Sequence, residues 1–117
     1  MNAGCGDYRG LGINGSMELA VARSSAPEEN QYNALLGANA RNMVSFDLYY
    51  QEQTTRPVQD NVGWLDFTHG LTFANAVRSI CSRYPELWPK GLLQMACFCG
   101  RNAPYTDARS SSCRCTC

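Results

Sequence analysis

The sequence has little of what nucleic-acid-binding proteins and membrane proteins need. Its 117 residues carry ten basic and ten acidic side chains, so the formal net charge is zero, and no run of like charge occurs. Because a basic patch is the usual feature of a nucleic-acid-binding surface, we expect no nucleic-acid partner. No segment approaches the roughly 18 consecutive apolar residues of a membrane span. We therefore expect no membrane partner either.

Signals of secretion are also lacking. The N-terminal segment has no basic residues followed by an apolar stretch, so it does not resemble a signal peptide, and we expect a cytoplasmic location. Cytoplasmic thiols stay reduced. The seven cysteines are an odd number, which leaves one over in any complete pairing. Both observations disfavour a disulfide framework.

Three regions differ in composition. Residues 1–25 are rich in Gly and Ser and predict a flexible leader, residues 26–102 carry the periodic apolar pattern of a helical domain, and residues 103–117 predict an irregular, Cys-rich tail. Strand alternation does not persist for five residues within 26–102, and no Asn-Gly turn separates two apolar runs there. We therefore predict an all-α fold, a small bundle of about three helices.

The first predicted helix follows a capping-box pattern. Ser25 and Glu28 have the spacing of that motif, and Pro27 lies in the first turn, where its missing N–H is tolerated. The helix is expected to continue until residues 54–57. Its apolar stripe consists of Tyr32, Leu35, Leu36, Met43, Phe46 and Tyr50.

Two further helices are predicted after it. The second begins near Asp60 or Asn61 and ends at about Tyr84, before a proline. Its expected apolar stripe consists of Leu65, Phe73, Val77, Ile80 and Tyr84, with Cys81 beside it. The third is short, from Pro89 to Cys99, with Gly100 as its C-terminal cap. Its expected inward residues are Trp88, Leu92, Met95, Ala96 and Cys99.

Residues 10–15, GLGING, match the G-x-G-x-x-G pattern of dinucleotide-binding proteins. That motif functions when a buried strand leads into the glycine turn and a helix N-terminus faces the pyrophosphate. Here no apolar run precedes the glycines, and SMELAVAR after them spans about two helical turns. We therefore interpret the stretch as part of the flexible leader, with a turn at Asn14-Gly15, and not as a nucleotide site.

Five cysteines near the C-terminus have metal-ligand chemistry but unusual spacing: Cys97, Cys99, Cys113, Cys115 and Cys117. Structural zinc sites usually use C-x2-C pairs. Side chains two positions apart in a helix project in directions about 200° apart around its axis, so Cys97 and Cys99 cannot both face one ion while that helix is intact. In an extended tail the last three thiols would lie on one side and could bind Zn or Cu(I). An incidental tail is the alternative, and we favour it.

His69 is the single histidine. It lies four residues from both Leu65 and Phe73, so we expect it to point toward the core. It could serve as a metal ligand, as a general base or, as we favour, as a hydrogen-bonded core residue. The aromatic residues are numerous enough for an apolar pocket, although core packing would use them equally well. The predicted pocket residues are His69, Phe73, Trp88 and Tyr50.

The segment 65–102, with the stretches THGLTFANAVR, YPELWP and GLLQMACF, resembles a helical region found in questin-oxidase-like proteins and in bacterial proteins with a Rieske ferredoxin domain. The resemblance implies an association with oxidative chemistry and carries over His69. A Rieske centre needs two cysteines and two histidines, and this chain has one histidine. The resemblance therefore implies that this chain corresponds to part of an oxidoreductase-associated protein and has no complete catalytic site.

These observations lead to two hypotheses of different kinds. The first is a helical module that binds an apolar ligand or associates with itself, because apolar residues extend beyond single stripes. The second is a thiolate metal-binding protein that uses the C-terminal cysteines. No nucleophile–base pair or pair of carboxylates at working distance is recognisable, so whether the chain is an enzyme stays open.

Overall fold

The computed structural model describes residues 8, 10–53, 55–58 and 61–106. Within them the chain forms four α-helices: α1 (Ile13–Ala22), α2 (Glu28–Val44), α3 (Trp64–Arg83) and α4 (Trp88–Asn102). The described residues also include short 3-10 helices at Leu48–Glu52, Pro85–Leu87 and Ala103–Tyr105. The all-α prediction is confirmed, with one helix more than expected. Helix α4 is central, since it contacts each of the other three.

The additional helix, α1, lies inside the predicted flexible leader. Gly10 turns the chain with a φ of +75°, a conformation that glycine adopts without strain. Gly12 is the extended N-cap residue, and Ser16 and Ala20 are buried on the side that meets α4. The prediction of a flexible leader with an Asn14-Gly15 turn is therefore wrong for residues 13–22, where Gly15 belongs to the first helical turn.

The start and the end of α2 differ from the prediction. The N-cap is Pro27 and no side chain caps the helix, so the Ser25–Glu28 capping box does not form. The helix ends at Val44 because the chain then pairs with the segment after α4. Phe46 forms an isolated antiparallel bridge with Thr106, and the Asp47 amide donates to the Tyr105 carbonyl at 3.0 Å. Tyr50 consequently lies in a separate 3-10 helix.

A glycine and an aspartate define the start of α3. The Gly63 amide donates to a carboxylate oxygen of Asp66 at 2.9 Å, and the Asp66 amide donates to the Gly63 carbonyl at 3.0 Å. This reciprocal cap stabilises the first turn. The Asp66 carboxylate also accepts a hydrogen bond from Arg101 of α4 at 3.0 Å. The helix therefore begins at Trp64, a few residues later than predicted.

The buried stripe of α3 consists mainly of small residues at alternating spacings of three and four: Phe67, Gly70, Ala74, Val77 and Cys81. Such spacing keeps one narrow face of the helix toward its neighbours. The predicted stripe followed the large residues instead and is wrong for three of them. Leu65, Ile80 and Tyr84 are 66%, 47% and 49% exposed.

Helix α4 buries four of the five residues that its pattern predicts, whereas Trp88 at its start is only half-buried. Leu92, Met95, Ala96 and Cys99 are each at most 4% exposed. The helix continues to Asn102, so the prediction that Gly100 ends it is wrong. Gly100 is buried and faces the start of α1. An added Cβ there would lie 2.5 Å from the Gly12 carbonyl oxygen.

Two apolar clusters form the core. The larger lies among the four helices and comprises Tyr8, Ala20, Tyr32, Leu35, Ala38, Ala74, Val77, Cys81, Leu92, Met95, Ala96 and Cys99. The second cluster is formed by Phe46, Val62 and Phe67, with Met43, Tyr50 and Tyr105 packed against it. The bridge at Phe46 and the start of α3 therefore enclose a core of their own.

Buried polar groups connect the helices within the larger cluster. The Tyr32 hydroxyl donates to the Ala74 carbonyl at 2.9 Å and so joins α2 to α3. The Asn39 amide group donates to the Leu35 carbonyl at 2.9 Å and to the Met95 carbonyl of α4 at 3.3 Å. These bonds satisfy polar groups that would otherwise be costly to bury.

Candidate functional site

The four predicted pocket residues do not converge on one site. His69 is exposed, so the prediction that it points toward the core is wrong. Its neighbour Gly70 occupies the inward position and packs against Asn39 of α2. Tyr50 belongs to the second cluster, with its ring centroid 5.0 Å from that of Tyr105. The predicted single pocket is therefore wrong.

Trp88 and Phe73 lie in different environments. The Trp88 ring meets Tyr32 edge-on, at a centroid distance of 5.9 Å. It lines a polar concavity beside the start of α2, whose other residues include Glu28 and Arg78. The Phe73 ring packs against Phe98 of α4 at 5.1 Å. Of the four predicted residues, Phe73 alone lines the apolar groove described below.

The cysteines of α4 are separated by the helix that carries them. Because α4 is intact through Asn102, Cys97 and Cys99 project in different directions; Cys99 is 1% exposed and Cys97 is half-buried. Burial raises the pKa of the Cys99 thiol to about 11, although a hydrogen bond from Asn42 opposes the shift. The thiolate is the form that binds metals, and burial disfavours both its formation and the access of an ion to the Cys99 sulfur.

In the part of the chain that the structure describes, no three His, Cys, Asp or Glu side chains are grouped as metal ligands. Cys113, Cys115 and Cys117 lie outside the described residues. Binding of Zn or Cu by these three thiols therefore stays a prediction. Native mass spectrometry before and after a chelator would test it.

The candidate site is an apolar groove on the surface between α3 and α4, with a volume of about 250 Å³. Its lining is contributed by two consecutive turns of α3, by the 3-10 helix before α4 and by the start of α4. The residues are Phe73, Ala76, Val77, Ile80, Cys81, Leu87, Lys90, Gly91 and Gln94. We call this feature the α3–α4 groove.

Gly91 brings the two walls of the groove together. A Cβ at this position would lie 2.8 Å from a methyl group of Val77 and 3.1 Å from the Cys81 sulfur. Only glycine therefore allows α4 to approach α3 at this depth. Val77 and Cys81 therefore lie directly against the Gly91 backbone and form the buried floor of the groove.

The groove has a rigid wall and a mostly apolar lining. The packing of Phe73 on Phe98 fixes its ring, and Ile80 at the rim is 47% exposed. Burial raises the pKa of the Cys81 thiol on the floor, so this group remains neutral. Lys90 and Gln94 contribute the polar side chains, and none of the lining residues described is acidic. An apolar molecule is the kind of ligand that this lining favours.

A further concavity, of about 530 Å³, lies where α1 begins and α4 ends. It includes Gly12 and Gly15 of the glycine-rich motif, together with Arg101. The Arg101 guanidinium is already paired with the Asp66 carboxylate at 3.0 Å. These glycines allow α1 to pack closely on α4. They do not belong to the strand–turn–helix unit in which glycines let the backbone approach a phosphate.

Comparison of the chain with protein-family models, curated proteins and solved structures finds no match in any of the three. The resemblance of residues 65–102 to helical regions of questin-oxidase-like proteins stays a prediction. Within the described residues, no helix has both the length and the hydropathy needed to cross a membrane.

Proposed function

We propose that this chain is a binding module that takes a small apolar ligand in the α3–α4 groove. One observation carries the proposal: an almost wholly apolar depression remains at the surface although the helices on either side are closely packed at Gly91. Ligand sites are typically apolar concavities with few polar groups. This function does not need the oxidative chemistry with which the family resemblance associates residues 65–102.

The size of the groove limits the ligand. Typical small-molecule pockets measure about 300–1,000 Å³, and this groove holds about 250 Å³. It would therefore accept a molecule smaller than most cofactors, with an unbranched or flat apolar body lying along the groove. Contact with Phe73, Val77 and Leu87 would remove apolar surface of both partners from water, which favours binding.

Isothermal titration calorimetry with 1-octanol tests the proposal. The wild-type chain should bind it, and Ala76→Phe should weaken binding at least tenfold, because Ala76 is an exposed lining residue whose enlargement would fill the groove. Ala22→Phe is the matched control, since Ala22 is exposed at the end of α1. Absent binding by the wild type, or equal loss in both variants, would contradict the proposal.

Self-association through the same face is the second candidate, and two exposed side chains favour it. Ile80 and Tyr84 are one helical turn apart and are 47% and 49% exposed. A stable interface usually buries about 800 Å² per partner, and these residues with the groove supply only part of that area. We therefore place self-association second. Sedimentation velocity at increasing concentration should reveal a dimer that 1-octanol dissociates if this candidate is right.

A further inference from the structure

We infer that the ligand of the α3–α4 groove is an anionic amphiphile, with an apolar chain of about eight carbon atoms and one carboxylate that pairs with Lys90. This inference rests on the proposed function and names the ligand class of the same site. It follows from the charges at the groove and from its volume.

The charged lining residue is basic, although Glu28 of α2 is close enough to the floor to help raise the pKa of Cys81. Lys90 is the charged side chain in the lining, and it is exposed, so its ammonium group can reach a ligand at the rim. Among the described residues it makes no ion pair. Arg83 lies three residues after Ile80 and therefore on the same side of α3. Glu86, in the 3-10 helix before α4, is the acidic residue nearest in sequence, and it does not line the groove.

The volume sets the length of the chain. A water-sized group occupies about 30 Å³ in a liquid. A groove of about 250 Å³ thus accommodates about eight such groups. Gln94, one turn after Lys90, adds a neutral amide that could donate a second hydrogen bond to the same head group. A carboxylate at one end of an eight-carbon chain would then contact Lys90 while the chain covers Val77 and Cys81.

Three ligands of eight carbon atoms each separate the charge effect from apolar binding: octanoate, whose apolar chain is one carbon shorter, 1-octanol and octylammonium. Each is titrated as a monomer by calorimetry. We expect octanoate to bind best and octylammonium worst. Lys90→Gln should weaken octanoate binding about fivefold, the size of effect expected for a surface ion pair, and should weaken 1-octanol binding less, so that the preference for octanoate is lost.

Arg56→Gln is the matched control, because it removes the same charge from a side chain that stacks over Tyr50 in the second cluster, 5.6 Å from the ring centroid. It should leave the preference for octanoate intact. Equal binding of octanoate and 1-octanol by the wild type, or an unchanged preference in Lys90→Gln, would overturn the inference while the proposed function stands. Absent binding of all three ligands would contradict the proposed function itself. Circular dichroism of each variant verifies that it is folded.

Discussion

Replacement of Gly100 by alanine should destabilise the fold, although alanine is the better helix former. Gly100 lies in α4 where the start of α1 crosses it. The added Cβ would lie 2.5 Å from the Gly12 carbonyl oxygen, 2.6 Å from the Gly12 carbonyl carbon and 2.6 Å from the Ile13 Cα atom. All three are backbone atoms, so no side chain can rotate away. Helix α1 must shift as a unit.

Two opposing terms determine the size of the effect. Overpacking a well-packed contact costs about 1–3 kcal/mol, and we expect the upper end here because the clash involves backbone. The change from glycine to alanine within a helix contributes about 1 kcal/mol in the favourable direction. The free energy of unfolding should therefore fall by about 2 kcal/mol. For a domain of this length the melting temperature should fall by roughly 5–10 °C.

Gly37→Ala provides the matched control. Gly37 also lies inside a helix, α2, but it is exposed, and a Cβ there would meet nothing within 4 Å. That variant should be more stable than the wild type by about 0.5–1 kcal/mol. Urea denaturation followed by circular dichroism measures both variants. If Gly100→Ala is as stable as the wild type, or gains stability as Gly37→Ala does, the close packing of α1 on α4 is refuted.

Three further predictions concern buried polar groups and thiols. The free energy of unfolding should decrease as the pH rises from about 9 to 11, because burial raises the pKa of Cys99 to about 11 and of Tyr8 to about 12. In this range the two side chains lose their protons in the unfolded chain but keep them in the folded protein. A free energy of unfolding that does not change with pH would contradict this. Asn39→Ala should lower the free energy of unfolding by about 2 kcal/mol, and Asn39→Asp should lower it further at neutral pH, because a carboxylate oxygen would replace the donor that faces two carbonyls. Urea denaturation measures both variants. If Asn39→Ala is the less stable of the two, the amide group of Asn39 does not face these carbonyls. Iodoacetamide should alkylate Cys97 before Cys99 in the native protein, as peptide mapping by mass spectrometry would detect; equal rates would mean that Cys99 is accessible.

The amino-acid pattern predicted the helices best where large apolar residues face the core. In α4 the inward positions Leu92 and Met95 were evident because large side chains repeat at helical spacing. In α3 the same reasoning failed, since the buried face uses Gly70 and Ala74. Small residues are buried where helices approach closely, and their own hydrophobicity does not reveal it. Large residues on the outer side, such as Ile80, then dominate the apparent stripe.

Tertiary contacts explain what else the pattern could not predict. The glycine-rich start of α1 predicts flexibility, yet this start packs on Gly100 of α4, 87 residues after Ile13. The end of α2 depends on pairing of Phe46 with Thr106. The groove was missed apart from Phe73, because its essential residue, Gly91, is recognisable only from the distance between two helices.

A two-dimensional NMR titration of labelled protein with 1-octanol tests whether the α3–α4 groove is the ligand site. If the α3–α4 groove binds apolar ligands, the largest shifts should occur at the Val77 methyl groups and the Gly91 amide, with saturation at increasing ligand. Shifts that concentrate around Tyr50 and the second cluster, or small shifts without saturation throughout the chain, would contradict the account.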